Sequence, residues 1–318
     1  MRSMSSPLSR RDTILGLWSL AAVASCAFGS RPTSAAAQGT HTFKLGAFEV
    51  TVISDGFASL PLPFVLPGIP ATDYEPLLKA NGLPVDGIIA PINVTIVKTP
   101  DALVLIDTGG GGDFMPTMGR FSDALEAAGF KPEAVTHVIF THAHADHLWG
   151  VIDPLDGGTR YPNARHFMTA VEFDYWMTPD RETKVPEPLV KMAVGSARRL
   201  KILADRLEKP KPGTEIMPGV TLIDTAGHTP GHVSVLLKSG AEQLLVGADA
   251  LTHPVVSFAK PEWRWGSDVD VDLGITTRKR TLDFLATDKI PLLGYHLPWP
   301  GVGRVERQDL AYRFVAGT

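Results

Sequence analysis

Three imidazoles and a carboxylate stand within six consecutive positions, His142-Ala143-His144-Ala145-Asp146-His147. They follow directly on Val135 to Thr141, a short apolar run that reads as a buried strand. The chain therefore leaves a sheet edge straight into the cluster, where a loop can turn all four side chains inward. Imidazole nitrogen and carboxylate oxygen suit zinc and other divalent first-row metals. Two ligand pairs this close are hard to satisfy around one ion.

The rest of the chain is consistent with one large layered domain of 318 residues in total, 44% hydrophobic and 20% charged, enough for a substantial core. A net charge of −4 and the lack of any Lys/Arg-rich run argue against nucleic acid as a partner. Ser9-Arg10-Arg11, the apolar run Ile14 to Phe28 and the small residues Ala35-Ala36-Ala37 read as a twin-arginine type signal peptide over residues 1–37. The mature domain is then 38–318, exported to the periplasm or secreted. Cys26, the single cysteine, falls inside the signal, so the mature domain has no disulfide and no thiolate ligand. The alternative is a lipoprotein box ending at Cys26.

Thr42 to Asp55 alternates apolar and polar residues, predicting half-buried strands joined at Gly46. Leu60 to Pro91 is rich in Pro and Gly and reads as a long surface segment with one short helix near Tyr74 to Asn81. Asn93 to Lys98 and Ala102 to Asp107 form a hairpin. Helical spacing marks Phe121 to Gly129, Glu172 to Met177, Leu189 to Leu207 and Thr277 to Ala286; strands are expected at Val220 to Asp224, Val233 to Lys238, Gln243 to Val246 and Ile290 to Leu293. This order suggests two sheets packed face to face with helices outside.

Three further features fall downstream of the first cluster: Gly227-His228-Thr229-Pro230-Gly231-His232, Gly247-Ala248-Asp249 and Tyr295-His296. Together with His142-x-His144-x-Asp146-His147 they resemble the metallo-β-lactamase superfamily. The resemblance implies an αββα sandwich in which His142, His144 and His228 bind one metal, Asp146, His147 and His296 the other, and Asp249 bridges them. Framework segments such as Ser54-Asp55-Gly56, Asp107-Thr108-Gly109, Pro116-Thr117-Met118-Gly119-Arg120 and His296-Leu297-Pro298 are most similar to the methyl parathion hydrolase and lactonase family. That family cleaves organophosphate triesters, lactones and aryl esters, and Phe114 and Trp176 correspond to aromatics of its pocket; the alternative for both is core packing. Leu60 to Asn81, Arg181 to Val194 and Leu251 to Trp265 are expected to frame the pocket mouth. They depart from the family's pattern and leave phosphotriester against lactone open.

His253 is a further candidate for substrate contact, while Asp107 and His232 are candidates to orient ligands by hydrogen bonds. His41, His137 and His166 read as packed or solvated. Two divalent ions about 3.5–4 Å apart share a water and lower its pKa toward neutrality, giving a bridging hydroxide as nucleophile, with Asp249 as catalytic bridge and Asp146 as proton relay. Zinc heads the expected metals, with Mn, Co or Fe as alternatives. The rival readings are a mono-iron member of the same fold, a persulfide dioxygenase or glyoxalase-like thioesterase, and a non-catalytic secreted metal-binding protein. A serine hydrolase is disfavoured because no Gly-x-Ser-x-Gly elbow occurs. The resemblance also implies a homodimer, with the apolar segment Leu60 to Ile69 as part of its interface.

Overall fold

The structure, a computed structural model, describes residues 39–317; the expected signal peptide and Cys26 lie outside them. Among the described residues fourteen strands form two seven-stranded sheets. The first sheet runs in order through β1 (Thr40–Leu45), β2 (Phe48–Leu60), β3 (Ile88–Lys98), β4 (Leu103–Ile106), β5 (His137–Ile139), β6 (Arg165–Phe167) and β7 (Leu207–Glu208). The second contains β8 (Glu215–Met217), β9 (Val220–Asp224), β10 (Val233–Ser239), β11 (Glu242–Ala248), β12 (Leu292–Gly294), β13 (Val302–Gln308) and β14 (Ala311–Ala316), again ordered as in the chain. Both sheets are mixed: β4 to β7 pair in parallel, as do β11 and β12, and the other neighbours are antiparallel.

The two-residue period of a strand explains the layers. Val50, Val52, Val104 and Ile106 of the first sheet meet Val233, Val235, Leu244 and Val246 of the second in one buried cluster between the sheets. Neighbours of the opposite parity, Ile53, Leu105 and Val138, point outward beneath helices. On the second sheet Leu245 and Leu292 do the same. Each such buried aliphatic side chain contributes roughly 1.5–3 kcal/mol relative to exposure. The helices α1 (Leu62–Val65), α2 (Ala71–Ala80), α3 (Phe121–Ala127), α4 (Ala145–Leu148), α5 (Ala170–Met177), α6 (Val190–Leu203), α7 (Val256–Ala259) and α8 (Val271–Asp288) complete the αββα sandwich. Among the described residues no helix is long and apolar enough to cross a membrane.

Most of the segment expected to lie on the surface does so, with its short helix as α2, but part of it turns inward. Leu62, Val65, Leu66 and Leu78 are buried in the cluster on the outer face of the first sheet, and β2 pairs with β3 all the way out to Leu60↔Ile88. A four-residue helix that follows Pro61 and contains Pro63 is too short to show a 3.6-residue period, so its inward face is invisible to pattern reading. Leu62, Val65 and Leu66 are thus buried within the chain and not available to the interface expected over Leu60 to Ile69. The short strands β6, β7 and β8 and the terminal hairpin β13–β14 were also not anticipated. Two or three residues carry too little alternation, and the hairpin's burial is partial.

Where the register of β2 against β3 shifts between Ser54 and Gly56, Asp55 is the extra residue of a bulge. Its buried carboxylate accepts hydrogen bonds from Gly110 N at 2.8 Å, Gly119 N at 3.0 Å and Phe121 N at 2.7 Å, tying down the loop before α3. Gly56 has φ 121, and a Cβ there would lie 2.0 Å from Thr117 O, so no other residue fits.

Candidate metal centre

Parallel pairing decides where the cluster forms. Ile106 and Ile139 are partners in register, so β4 and β5 end side by side and release Asp107 and Thr141-His142 at one edge. In the second sheet the parallel pair β11 and β12 likewise delivers Asp249 and His296 together, and the β9–β10 loop adds His228. Two non-glycine residues take left-handed backbone at these ends, Asp107 with φ 60 and Ala248 with φ 44. Such strain costs on the order of 1–3 kcal/mol each and collects at functional sites.

Two groups of donors result. His142, His144, His228 and Asp249 each offer a ligand atom within 4.8 Å of the others, as do Asp146, His147 and His296. Asp249 reaches into both. Its Oδ2 lies 3.1 Å from His228 Nε2, and its Oδ1 lies 3.1 Å from His147 Nε2 and 3.3 Å from His296 Nε2. His144 Nδ1 is 2.9 Å from His228 Nε2, and Asp146 Oδ2 is 3.3 Å from His296 Nε2.

The donor set fits metal ions. His142 Nε2 and His144 Nε2 are buried without a hydrogen-bond partner, and His147 Nε2 and Asp249 Oδ1, 3.1 Å apart, face each other without the geometry of a hydrogen bond. Orphaned buried polar atoms cost about 1–3 kcal/mol each, and their collection at one point marks ligand atoms. The opposite ring nitrogens are occupied: His147 Nδ1 by Asp107 Oδ2 at 2.8 Å, His228 Nδ1 by Asp268 Oδ1 at 3.0 Å, His296 Nδ1 by the Pro91 carbonyl at 2.9 Å and His142 Nδ1 by Thr141 Oγ1 at 3.1 Å. Each contact fixes its ring and leaves Nε2 aimed into the cluster.

Electrostatics agree. Burial opposes the charge on His228 and His296, yet Asp249 and the carboxylates beside them lift these imidazoles to about 9 and about 10. Asp146 is likewise penalised by burial, but His147 and His296 hold it down at about 2. The carboxylates thus favour positive charge at these positions, which protons supply in the metal-free protein and a bound metal would supply in their place. His142 and His144 are driven well below the usual range by burial and by neighbouring imidazoles, which keeps them neutral and able to ligate.

Asp107 and His232 both touch ligands. Asp107 also accepts from Thr141 N and Thr141 Oγ1, each at 2.8 Å, and so braces residues on either side of His142. His232, held neutral at about 3 by burial and the nearby His228, accepts from the Asp249 backbone N–H at 3.1 Å. Two carboxylates escaped the sequence reading. Asp268 has no local signal linking it to His228, 40 positions away, although it also pairs with Arg278 at 2.8 Å. Glu172 had one signal: Thr169-x-x-Glu172 is the spacing of a capping box, and Thr169 Oγ1 does accept from Glu172 N. Its carboxylate is spent on the histidine loops instead.

An apolar cavity of about 330 Å³ opens over the cluster. His144, Asp146, Asp249 and His296 line it, and Leu60, Phe64, Phe114, Leu189, Met192 and Trp265 supply apolar wall. All three segments expected at the pocket mouth contribute, and Phe114 does too. Trp176 does not: it is 1% exposed, its indole N–H donates to Glu172 Oε1 at 2.7 Å, and its ring packs edge-on against His144 from behind. His253 also lies outside this cavity. Its Nδ1 accepts from the backbone of Val255 and Val256, fixing the start of α7, and its side chain borders a second cavity with His296. Of the histidines expected to be packed or solvated, His166 is buried against Phe140 and His137 stacks on Phe167.

The solved structure of AidC, a dizinc quorum-quenching lactonase in complex with a product, N-hexanoyl-L-homoserine, superposes with a TM-score of 0.83 at 28% identity, covering 88% of this chain and 98% of that one. The hydrolase AbOPH of the beta-lactamase superfamily gives 0.81 at 28% identity, with the same 88% and 98% coverage. In sequence, an N-acyl homoserine lactonase of Bacillus cereus is 25% identical over 180 residues, covering 50% of this chain and 64% of that protein. A probable metallo-hydrolase of Mycobacterium bovis is 26% identical over 197 residues, 52% of this chain. The match spans 59% of that relative's length. Residues 87–293, which hold both histidine motifs and Asp249, match the family model of the metallo-beta-lactamase superfamily, and the chain belongs to that superfamily.

Proposed function

We propose that this protein is an exported metallohydrolase that opens N-acyl lactones, with its two donor groups holding a pair of divalent ions, zinc foremost. The observation that carries the reading is the apolar cavity directly over Asp146, Asp249 and His296, suited to an acyl chain whose carbonyl end sits at the donors. Similarity to AidC supports the same substrate class. When bound, the metal pair supplies an activated water and a Lewis acid for the carbonyl oxygen.

The chain's own residues do the rest. Phe64, Phe114, Met192 and Trp265 hold the apolar part of the substrate and set its orientation. Asp146 lines the cavity and is held ionised by His147 and His296, so it enters the reaction able to take up a proton and return it to the departing ring oxygen. Asp107, Asp268 and the Pro91 carbonyl keep the ligand rings from turning. Both donor groups hold three ligands or more, which favours an ion pair over the single iron of the rival reading. The homodimer implied by resemblance belongs to the same proposal, and light scattering of the purified protein tests it.

The discriminating experiment compares an N-acyl homoserine lactone, an aryl ester and a phosphotriester with zinc-reconstituted protein, each with and without chelator. The lactone is expected to lead by at least roughly tenfold in kcat/KM, about 1.4 kcal/mol in barrier. Faster turnover of either competitor, or activity indifferent to chelation, overturns the proposal.

A further inference from the structure

Glu172 lies at the third position of α5, 0% exposed, and among the described residues no cation pairs with its carboxylate. Four donors converge on it instead. Oε1 accepts from Ala143 N at 2.9 Å and Trp176 Nε1 at 2.7 Å; Oε2 accepts from Thr229 Oγ1 at 2.6 Å and Gly231 N at 3.0 Å. The placement of these donors is selective. Ala143 is the residue between His142 and His144, Trp176 packs edge-on against His144 at 5.6 Å, and Thr229 follows His228. Thr169, at the start of the same helix, adds a bond from its hydroxyl to the Gly231 carbonyl at 2.7 Å.

All three histidines of the first donor group are therefore addressed through one carboxylate. None of Asp146, His147 and His296 touches it; their rings and carboxylate are braced by Asp107, Pro91 and one another. The loops 142–144 and 227–232 come from different sheets; a backbone bond from Val233 N to the Thr141 carbonyl at 3.0 Å joins their bases, and Glu172 bonds to the interior of both.

We infer that Glu172 is a positioning residue that sets the spacing of His142, His144 and His228, and hence the affinity for one metal ion of the pair and not the other. The inference rests on the metal-centre reading but not on the choice of substrate. A carboxylate is required because all four partners are donors: a neutral amide of the same shape presents an NH₂ to two of them and forces the loops apart. Outer partners of this kind typically govern metal affinity by roughly 10- to 100-fold.

The test is cobalt titration of metal-free protein followed by visible absorption, independent of any turnover. His296→Ala and His228→Ala give reference spectra for the first and second donor groups alone. In Glu172→Gln the absorption belonging to the first group is expected to require roughly 10- to 100-fold more cobalt, while that of the second appears at the native concentration. Should Glu172→Gln not fold, Thr229→Val and Trp176→Phe each remove a single bond to Glu172 and carry the same expectation at smaller size. Equal weakening of both ions, or native titration in all three variants, overturns the inference. Failure of lactone turnover with a selective cobalt defect would sink the substrate reading and leave this one standing.

Discussion

Replacing Asp268 with Asn isolates the contribution of a carboxylate that touches a ligand only through its outer nitrogen. Asp268 is 2% exposed; Oδ1 lies 3.0 Å from His228 Nδ1 and Oδ2 accepts from Arg278 at 2.8 Å. An asparagine offers one acceptor where two are used. With its oxygen turned to Arg278, its NH₂ faces His228 Nδ1, which must then become the acceptor. The ring hydrogen moves to Nε2, the atom 3.1 Å from Asp249 Oδ2, and closes that nitrogen to a metal. We expect a roughly 10- to 100-fold loss of affinity for one ion, about 1.4–2.8 kcal/mol.

The metal-free fold pays separately for a weakened charged hydrogen bond. Arg278 keeps the Pro261 and Trp263 carbonyls at 3.0 and 2.9 Å, so the loss stays near 2 kcal/mol rather than the ~3–5 expected for a stranded buried charge. That corresponds to a Tm lower by about 4–8 °C. Competition against a chromogenic chelator measures the first quantity, and thermal unfolding of metal-free protein the second. A lowered Tm with unchanged metal affinity would refute the argument, because Asp268 would then be holding α8 and its loop without acting on His228.

Further expectations concern the cavity, the bulge and pH. Phe114→Ala removes part of the cavity wall and should raise KM for a long-chain acyl lactone by roughly five- to thirtyfold, about 1–2 kcal/mol, with kcat little changed; an altered kcat at constant KM would contradict its place in the wall. Asp55→Ala leaves three backbone N–H groups without their acceptor and should cost about 3 kcal/mol, read as a drop of roughly 6–12 °C in Tm. His228 and His296 have folded-state values of about 9 and about 10, above the ordinary 6.5, so their stabilisation of the metal-free protein is complete below 6.5 and lost as pH rises through 9 to 10. The Tm of chelated protein should fall across that window while the zinc-saturated Tm holds; a rise with pH in the chelated protein would be inconsistent with paired, protonated histidines.

The metal ligands were legible because the chemistry is local. His142 to His147 carries four donors on one loop, and a strand leading into that loop shows as a plain apolar run. His228, Asp249 and His296 were found only through resemblance, since nothing in their own neighbourhoods says that they meet. The two-sheet architecture was readable from runs long enough to display a period, such as Val220 to Asp224 and Val233 to Lys238. Segments without room for a period, α1 above all, were misplaced.

Amino-acid order alone fixed which side chains can bind metal and which strands can be buried, because donor chemistry and a two-residue period are properties of the chain itself. Which partners steady those donors was decided by the fold. Glu172 serves two loops from different sheets, Asp268 reaches a histidine 40 positions away, and Trp176 turns behind His144 because Glu172 holds its nitrogen there. Hydrogen bonds of this kind depend on distances across the sandwich, and those exist only once both sheets have closed on their shared core.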